Sequence, residues 1–182
     1  MIDCGEGAQL QFRKSHLKFS RLNHIFISHL HGDHCFGLLG LISTLNLLGR
    51  TAELHIHSPK GLEALLTPML DFFNRQMTYK VLFHEFDTKE PMLIYEDRSL
   101  TVTTIPLRHR MPCCGFLFAE KRRPNHIIRE MVDFYQVPVY ELNRIKNGAD
   151  YVTPEGKTVS NNLLTRPSAP SRSYAYCSDT IY

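Results

Sequence analysis

Residues 28–38 read SHLHGDHCFGL, which sets His29, His31, Asp33 and His34 into six consecutive positions directly after the apolar, strand-like run His24–Ser28. Where a chain leaves a strand, residues i and i+2 point the same way, so His29 and His31 can reach one metal ion while Asp33 and His34 reach a neighbouring one. Imidazole and carboxylate together suit zinc or a similar divalent metal, and a mixed set with open positions fits catalysis better than a closed structural site. HxHxDH, ending a strand and opening a helix, is therefore read as half of a site for two ions. Two distant residues are candidates to complete it: His109, just past a strand, and Asp179, after Ala175-Tyr176-Cys177. An aspartate has two oxygens and could bridge both metals. The remaining histidines, His16, His24, His55, His57, His84 and His126, stand singly or alternate along a strand and are read as structural.

The elements that must position these side chains alternate in type. The pattern predicts strands over 24–28, 52–57, 81–86, 92–95, 100–107 and 114–119, with β character again at 174–177. A Leu-rich helix is expected over 36–48, closed by Gly49. A second helix is expected to start with Ser58 as N-cap and Pro59 at its first position. It would run to about Phe73 with Leu62, Leu65, Leu66, Met69 and Leu70 on one face and a kink at Pro68. This is an α/β layered pattern.

With 182 residues, 43% of them hydrophobic, the chain has the length and apolar content for one ordinary domain. Its longest apolar stretch, 35–42, is less than half the roughly 20 residues of a membrane-spanning helix, so no membrane is expected as a partner. The opening Met-Ile-Asp-Cys-Gly-Glu lacks a secretory pattern, and the five cysteines form neither a CxxC pair nor a regular framework. A reducing cytoplasm fits best. The net charge of +3 is too small to identify nucleic acid by itself, but its placement is uneven. Residues 120–172 hold nine Lys/Arg against six Asp/Glu, and the rest of the chain is balanced. That stretch also carries five prolines and one short amphipathic helix pattern, about 127–134. It is read as an insertion with too little apolar content for a core of its own, and mobile in consequence. The domain reading is a main domain over 1–119, an arm over 120–172 and a return to the main domain over 173–182.

HxHxDH, here His29-Leu30-His31-Gly32-Asp33-His34, resembles the hallmark of the metallo-β-lactamase superfamily. Within it the chain looks like the ribonuclease Z family of tRNA 3′-processing endonucleases. The likeness rests on Ile2-Asp3-Cys4-Gly5-Glu6-Gly7-Ala8-Gln9-Leu10-Gln11, on Ile25 through Leu38, on His57-Ser58-Pro59-Lys60-Gly61 and on Tyr176-Cys177-Ser178-Asp179-Thr180. Val137-Pro138-Val139-Tyr140, Ile145-Lys146-Asn147-Gly148 and Pro154-Glu155-Gly156-Lys157 resemble the flexible arm with which such enzymes grip tRNA, although Val137 stands where that arm usually has glycine.

The resemblance implies an αββα sandwich with a protruding arm, and two zinc ions per subunit. His29, His31 and His109 would hold one ion, Asp33 and His34 the other, and Asp179 would bridge them. Asp33 would also accept a proton, and Asp3 would support the site from beside it. The implied reaction is phosphodiester hydrolysis that removes the 3′ trailer from precursor tRNA, leaving a tRNA 3′-hydroxyl and a 5′-phosphate on the trailer. Lys121, Arg122, Arg123, Arg144 and Lys146 would contact the RNA backbone, and the enzyme would act as a homodimer. The family pattern includes strands before Asp3 and a histidine ligand after Asp179, so the chain is expected to be truncated at both ends, with a weak second zinc site. Two rivals remain. One is another hydrolase of this superfamily acting on a small phosphodiester, thioester or lactam, for which a long basic insertion has no use. The other is a non-catalytic RNA-binding subunit, disfavoured because all six candidate ligands are of the right type.

Overall fold

A computed structural model describes residues 1–73 and 76–181. Contacts divide the chain into two compact units. The first comprises residues 1–97, 101–118 and 174–182, and the second 98–100 and 119–173.

The first unit begins with helix α1 (Ala8–Lys14) and strand β1 (His24–Phe26), followed by the short helix α2 (Gly32–Cys35) and α3 (Gly37–Leu47). Next come β2 (Leu54–Pro59), α4 (Leu62–Phe73) and β3 (Val81–Phe86). β1, β2 and β3 form a parallel sheet in that order, with Ile2 bridging to Phe26 at its edge. Parallel sheets need cover on both faces, and the register makes the two faces chemically different. Ile25, Leu54 and Ile56 point into an aliphatic core with α3 and α4, which contribute Leu38, Leu41, Ile42 and Leu45 and then Leu62, Leu66 and Leu70. The α3 positions follow the i, i+3, i+4, i+7 spacing of one buried helical face. The opposite face of the sheet carries rings: His24, Phe26, His55, His57 and His84 stack along it with centroids 4.5–5.5 Å apart.

That ring face meets a second sheet. β4 (Leu93–Glu96), β5 (Leu100–Pro106), β6 (Cys114–Glu120) and β11 (Ser173–Tyr176) lie in the order β11-β6-β5-β4. Phe26 packs against Phe116 and Phe118 at 5.7 and 5.3 Å, and His24 against Tyr95 at 4.5 Å.

Two expectations for this unit are corrected. Ser58 and Pro59 do not start α4, because β2 runs through them in register with Glu85 and Phe86. The helix is capped from β3 instead: the Glu85 carboxylate accepts from the backbone N–H groups of Gly61 and Glu63 at 2.9 and 3.0 Å. Leu65 and Met69 also leave the expected face and are exposed.

The second unit holds β7 (His126–Ile127), α5 (Arg129–Phe134), α6 (Leu142–Lys146), β8 (Tyr151–Val152), β9 (Thr158–Val159), α7 (Asn161–Leu164) and β10 (Thr165–Arg166). Contrary to the reading from composition, it has a core: Val132, Val137, Ile145, Tyr151, Val159 and Leu164 are buried together. Its residues come singly from many short elements, so no apolar run announces them. Asn161 takes the place of longer secondary structure by donating to the carbonyls of Ile145 and Ala149 at 2.7 and 2.8 Å.

Candidate metal centre

The HxHxDH segment turns where the parallel sheet ends, and backbone contacts fasten it to the start of the chain. Cys4 N–H donates to the His34 carbonyl, and Gly37 N–H donates to the Cys4 carbonyl, both at 2.8 Å. The approach is so close that a Cβ on Gly5 would meet the Asp33 carbonyl and one on Gly37 the Gly5 carbonyl. From the second sheet, Cys114 N–H donates to the Ser28 carbonyl at 3.1 Å, and in the segments beyond its strands Ile181 N–H donates to the Arg108 carbonyl at 2.8 Å. These ties bring the loops bearing His109 and Asp179 to the end of β1.

One ligand atom each from His29, His31, His109 and Asp179 lies within 4.8 Å of the others. His31 Nδ1 is 3.0 Å from His29 Nε2 and 3.2 Å from His109 Nε2. Asp179 Oδ2 is 3.8 and 3.9 Å from His29 Nε2 and His109 Nε2. Tetrahedral ligands about 2.0–2.1 Å from a zinc ion stand roughly 3.3 Å apart, so this donor set and spacing fit one divalent ion. Asp33 and His34 fall outside the group of four but beside it. The His34 ring centroid is 4.1 Å from that of His29, and His34 Nε2 is 3.5 Å from Asp33 Oδ2. The Asp33 side chain is 78% exposed, so it is open to solvent and to a ligand.

Asp3 sits under both groups. Its Oδ1 accepts from Ser28 N–H at 2.7 Å, and its Oδ2 takes contacts from Ser28 Oγ, His34 Nδ1 and the Tyr176 hydroxyl at 2.9, 2.8 and 3.0 Å. Ser28 Oγ also lies 3.0 Å from His29 Nδ1. Burial, followed by the neighbouring His34 and His31, pushes the pKa of His29 down and favours the neutral ring that binds metal. Burial and Asp3 push the Tyr176 hydroxyl up to about 12, so it remains a donor. Around the site burial raises the Cys4 and Cys114 thiols to about 12 and Cys113 to about 11, which leaves no thiolate to act as nucleophile among them.

Beside His109 opens a cavity of about 850 Å³ lined in part by Lys60, Lys89, Arg108 and Arg110, with Asp87 as its acidic residue. Sequence reading missed these four cations, which are scattered over fifty residues and only the fold collects. It also missed Ser28 and Tyr176. The signals available were a hydroxyl directly before His29 and a tyrosine three residues before Asp179. Among the basic residues expected to meet RNA, Arg122, Arg123, Arg144 and Lys146 are exposed on the second unit. Arg123 pairs with Glu120 at 3.3 Å and Arg144 with Glu141 at 2.9 Å, while Lys121 is half-buried.

The chain is 80% identical over all 182 residues to ribonuclease Z of Bacteroides fragilis, and 71% identical over the same span to ribonuclease Z of Phocaeicola vulgatus. It spans about 60% of the length of these curated relatives. Among solved structures it is similar to the short form of human tRNase Z, with a TM-score of 0.61 and 34% identity, covering 67% of this chain and 54% of that one. No described helix is long and apolar enough to cross a membrane. The family model for the beta-lactamase superfamily domain matches residues 1–127, well over half of the sequence. With the HxHxDH segment at the end of its sheet, the chain therefore belongs to the beta-lactamase superfamily and has the metallo-β-lactamase fold.

Proposed function

We propose that the chain forms much of a zinc-dependent endoribonuclease that removes the 3′ trailer from precursor tRNA. The observation that carries this reading is 80% identity to a ribonuclease Z over all 182 residues, a span that takes in both units and every candidate ligand position. His29, His31 and His109 would hold one zinc ion and Asp33 and His34 the other, with Asp179 as a ligand shared between the two sites. When bound, the ions supply Lewis-acid stabilisation for charge developing on phosphate oxygens and acidify a water molecule.

The chain's own residues supply the rest. Asp33 presents an exposed carboxylate beside His34 and accepts the proton lost by the attacking water at one of its oxygens. Lys60, Lys89, Arg108 and Arg110 offer a cationic wall to the phosphodiester backbone next to His109. Lys121, Arg122, Arg123, Arg144 and Lys146 add contacts that read the shape of folded RNA without reading its sequence. The products are a tRNA 3′-hydroxyl and a trailer 5′-phosphate. A homodimer in the reducing cytoplasm is the setting this reading implies, and the five unpaired cysteines agree with it.

The test is Asp33→Ala in the full protein. Cleavage of a precursor tRNA is expected to fall by at least about 100-fold, the scale of a lost general base, while binding of the same RNA stays within a factor of a few. Cleavage at the wild-type rate would overturn the assignment.

A further inference from the structure

The Asp3 carboxylate gathers more polar contacts than any side chain near the candidate ligands, and proton counting fixes their direction. An ionised carboxylate only accepts hydrogen bonds. Ser28 Oγ, 2.9 Å from Asp3 Oδ2, must therefore spend its single proton on Asp3. The same oxygen lies 3.0 Å from His29 Nδ1, so that contact exists only if Nδ1 carries the hydrogen and donates it. His29 is thereby left with its lone pair on Nε2, the atom 3.0 Å from His31 Nδ1 and 3.8 Å from Asp179 Oδ2. By the same count His34 Nδ1, 2.8 Å from Asp3 Oδ2, is a donor, which leaves the Nε2 lone pair on the side of Asp33. Tyr176, whose hydroxyl donates to Asp3 Oδ2 at 3.0 Å, ties the strand that leads to Asp179 to the same carboxylate. Ser28 is fully buried, so no water competes for its hydroxyl.

We infer that Ser28 and Tyr176 are positioning residues acting through Asp3. Ser28 relays the carboxylate to His29 and sets its metal-binding tautomer, and Tyr176 holds the Asp179 segment in register with the two histidines. The inference rests on the metal-holding part of the function proposed above, but not on the substrate. Removing a partner that orients a ligand typically weakens metal affinity 10- to 100-fold. Ser28→Ala deletes the relay while leaving Asp3 bound to His34 and Tyr176. Ser28→Thr keeps the hydroxyl, and Tyr176→Phe deletes only the third donor.

The experiment uses the full protein, stripped of metal and titrated with zinc against a chromophoric chelator. Long-range proton–nitrogen spectra of the metal-free protein report the histidine tautomers. Ser28→Ala is expected to weaken zinc by about 10-fold or more and to mix the His29 tautomers. Ser28→Thr should restore both, and Tyr176→Phe should weaken zinc less while leaving His29 in its Nδ1–H form. Wild-type affinity and an unchanged His29 tautomer in Ser28→Ala would overturn the relay. So would a Ser28→Thr variant as impaired as Ser28→Ala, since packing alone would then account for the loss. If Ser28→Ala does not fold, the wild-type spectrum decides, because an Nε2–H tautomer at His29 refutes the proposal. Should the wild-type protein bind no zinc, the metal assignment fails, while the tautomer spectra still judge the Ser28 relay separately.

Discussion

Replacing His57 with phenylalanine should remove a defined part of the acid sensitivity of the fold. His57 is 3% exposed on the ring face between the two sheets of the first unit, stacked on Phe26 at 4.5 Å with an 11° angle. Burial, then the neighbouring His84, His24 and His55, lowers its pKa from 6.5 to about 3. Above about pH 6.5 the ring is neutral in both folded and unfolded chains, and its contribution to stability is intact. Below that value the unfolded chain takes up a proton that the folded one refuses, so stability falls as pH falls, down to the folded pKa near 3. Each pH unit in this window removes ~1.4 kcal/mol, which gives about 2 kcal/mol at pH 5. Phenylalanine keeps the stacking surface and cannot protonate. Urea denaturation of wild type and His57→Phe at about pH 7 and pH 5 should show the wild type losing about 2 kcal/mol more than the variant between the two conditions. An equal loss in both proteins would refute the idea that this ring is held neutral by the fold.

Gly37→Ala should destabilise the first unit by about 1–3 kcal/mol, since the new methyl meets the Gly5 carbonyl and stands 2.8 Å from that of Cys4, and both are backbone atoms. Thermal denaturation checks this, and a Tm within about 1 °C of wild type would contradict it. Ile145→Ala, which empties a fully buried position in the second unit, should cost that unit about 2–5 kcal/mol. Limited proteolysis should then cut within 119–173 while residues 1–97 stay protected, and simultaneous loss of both regions would argue against separate cores.

How far the chain could be read from its sequence depended on how local each feature is. The parallel strands and α3 were legible because short strand-like runs and a Leu-rich stretch closed by Gly49 declare themselves within about a dozen residues. Ser58-Pro59 misled because a proline ending a buried strand looks the same as one starting a helix. The true cap, Glu85, lies more than twenty residues away. The core of the second unit was missed because each of its six members belongs to a different short element or turn. At the candidate metal centre, His29, His31, His109 and Asp179, which the structure brings together, were legible as candidates from residue type and position. The hydroxyls that orient them were not, since Ser28 and Tyr176 matter only through a third residue.

The contacts that define the centre close very large loops: His31 to His109 spans 78 residues and Asp3 to Tyr176 spans 173. Closing such loops carries an entropy cost that no local interaction offsets, so the ligand set cannot assemble in any partly folded chain that lacks either sheet. A metal ion held at His29, His31, His109 and Asp179 would therefore be coupled to folding of the entire first unit, and its binding would reward only chains that have completed it. Occupancy of the centre would then be a checkpoint on the conformation that built it.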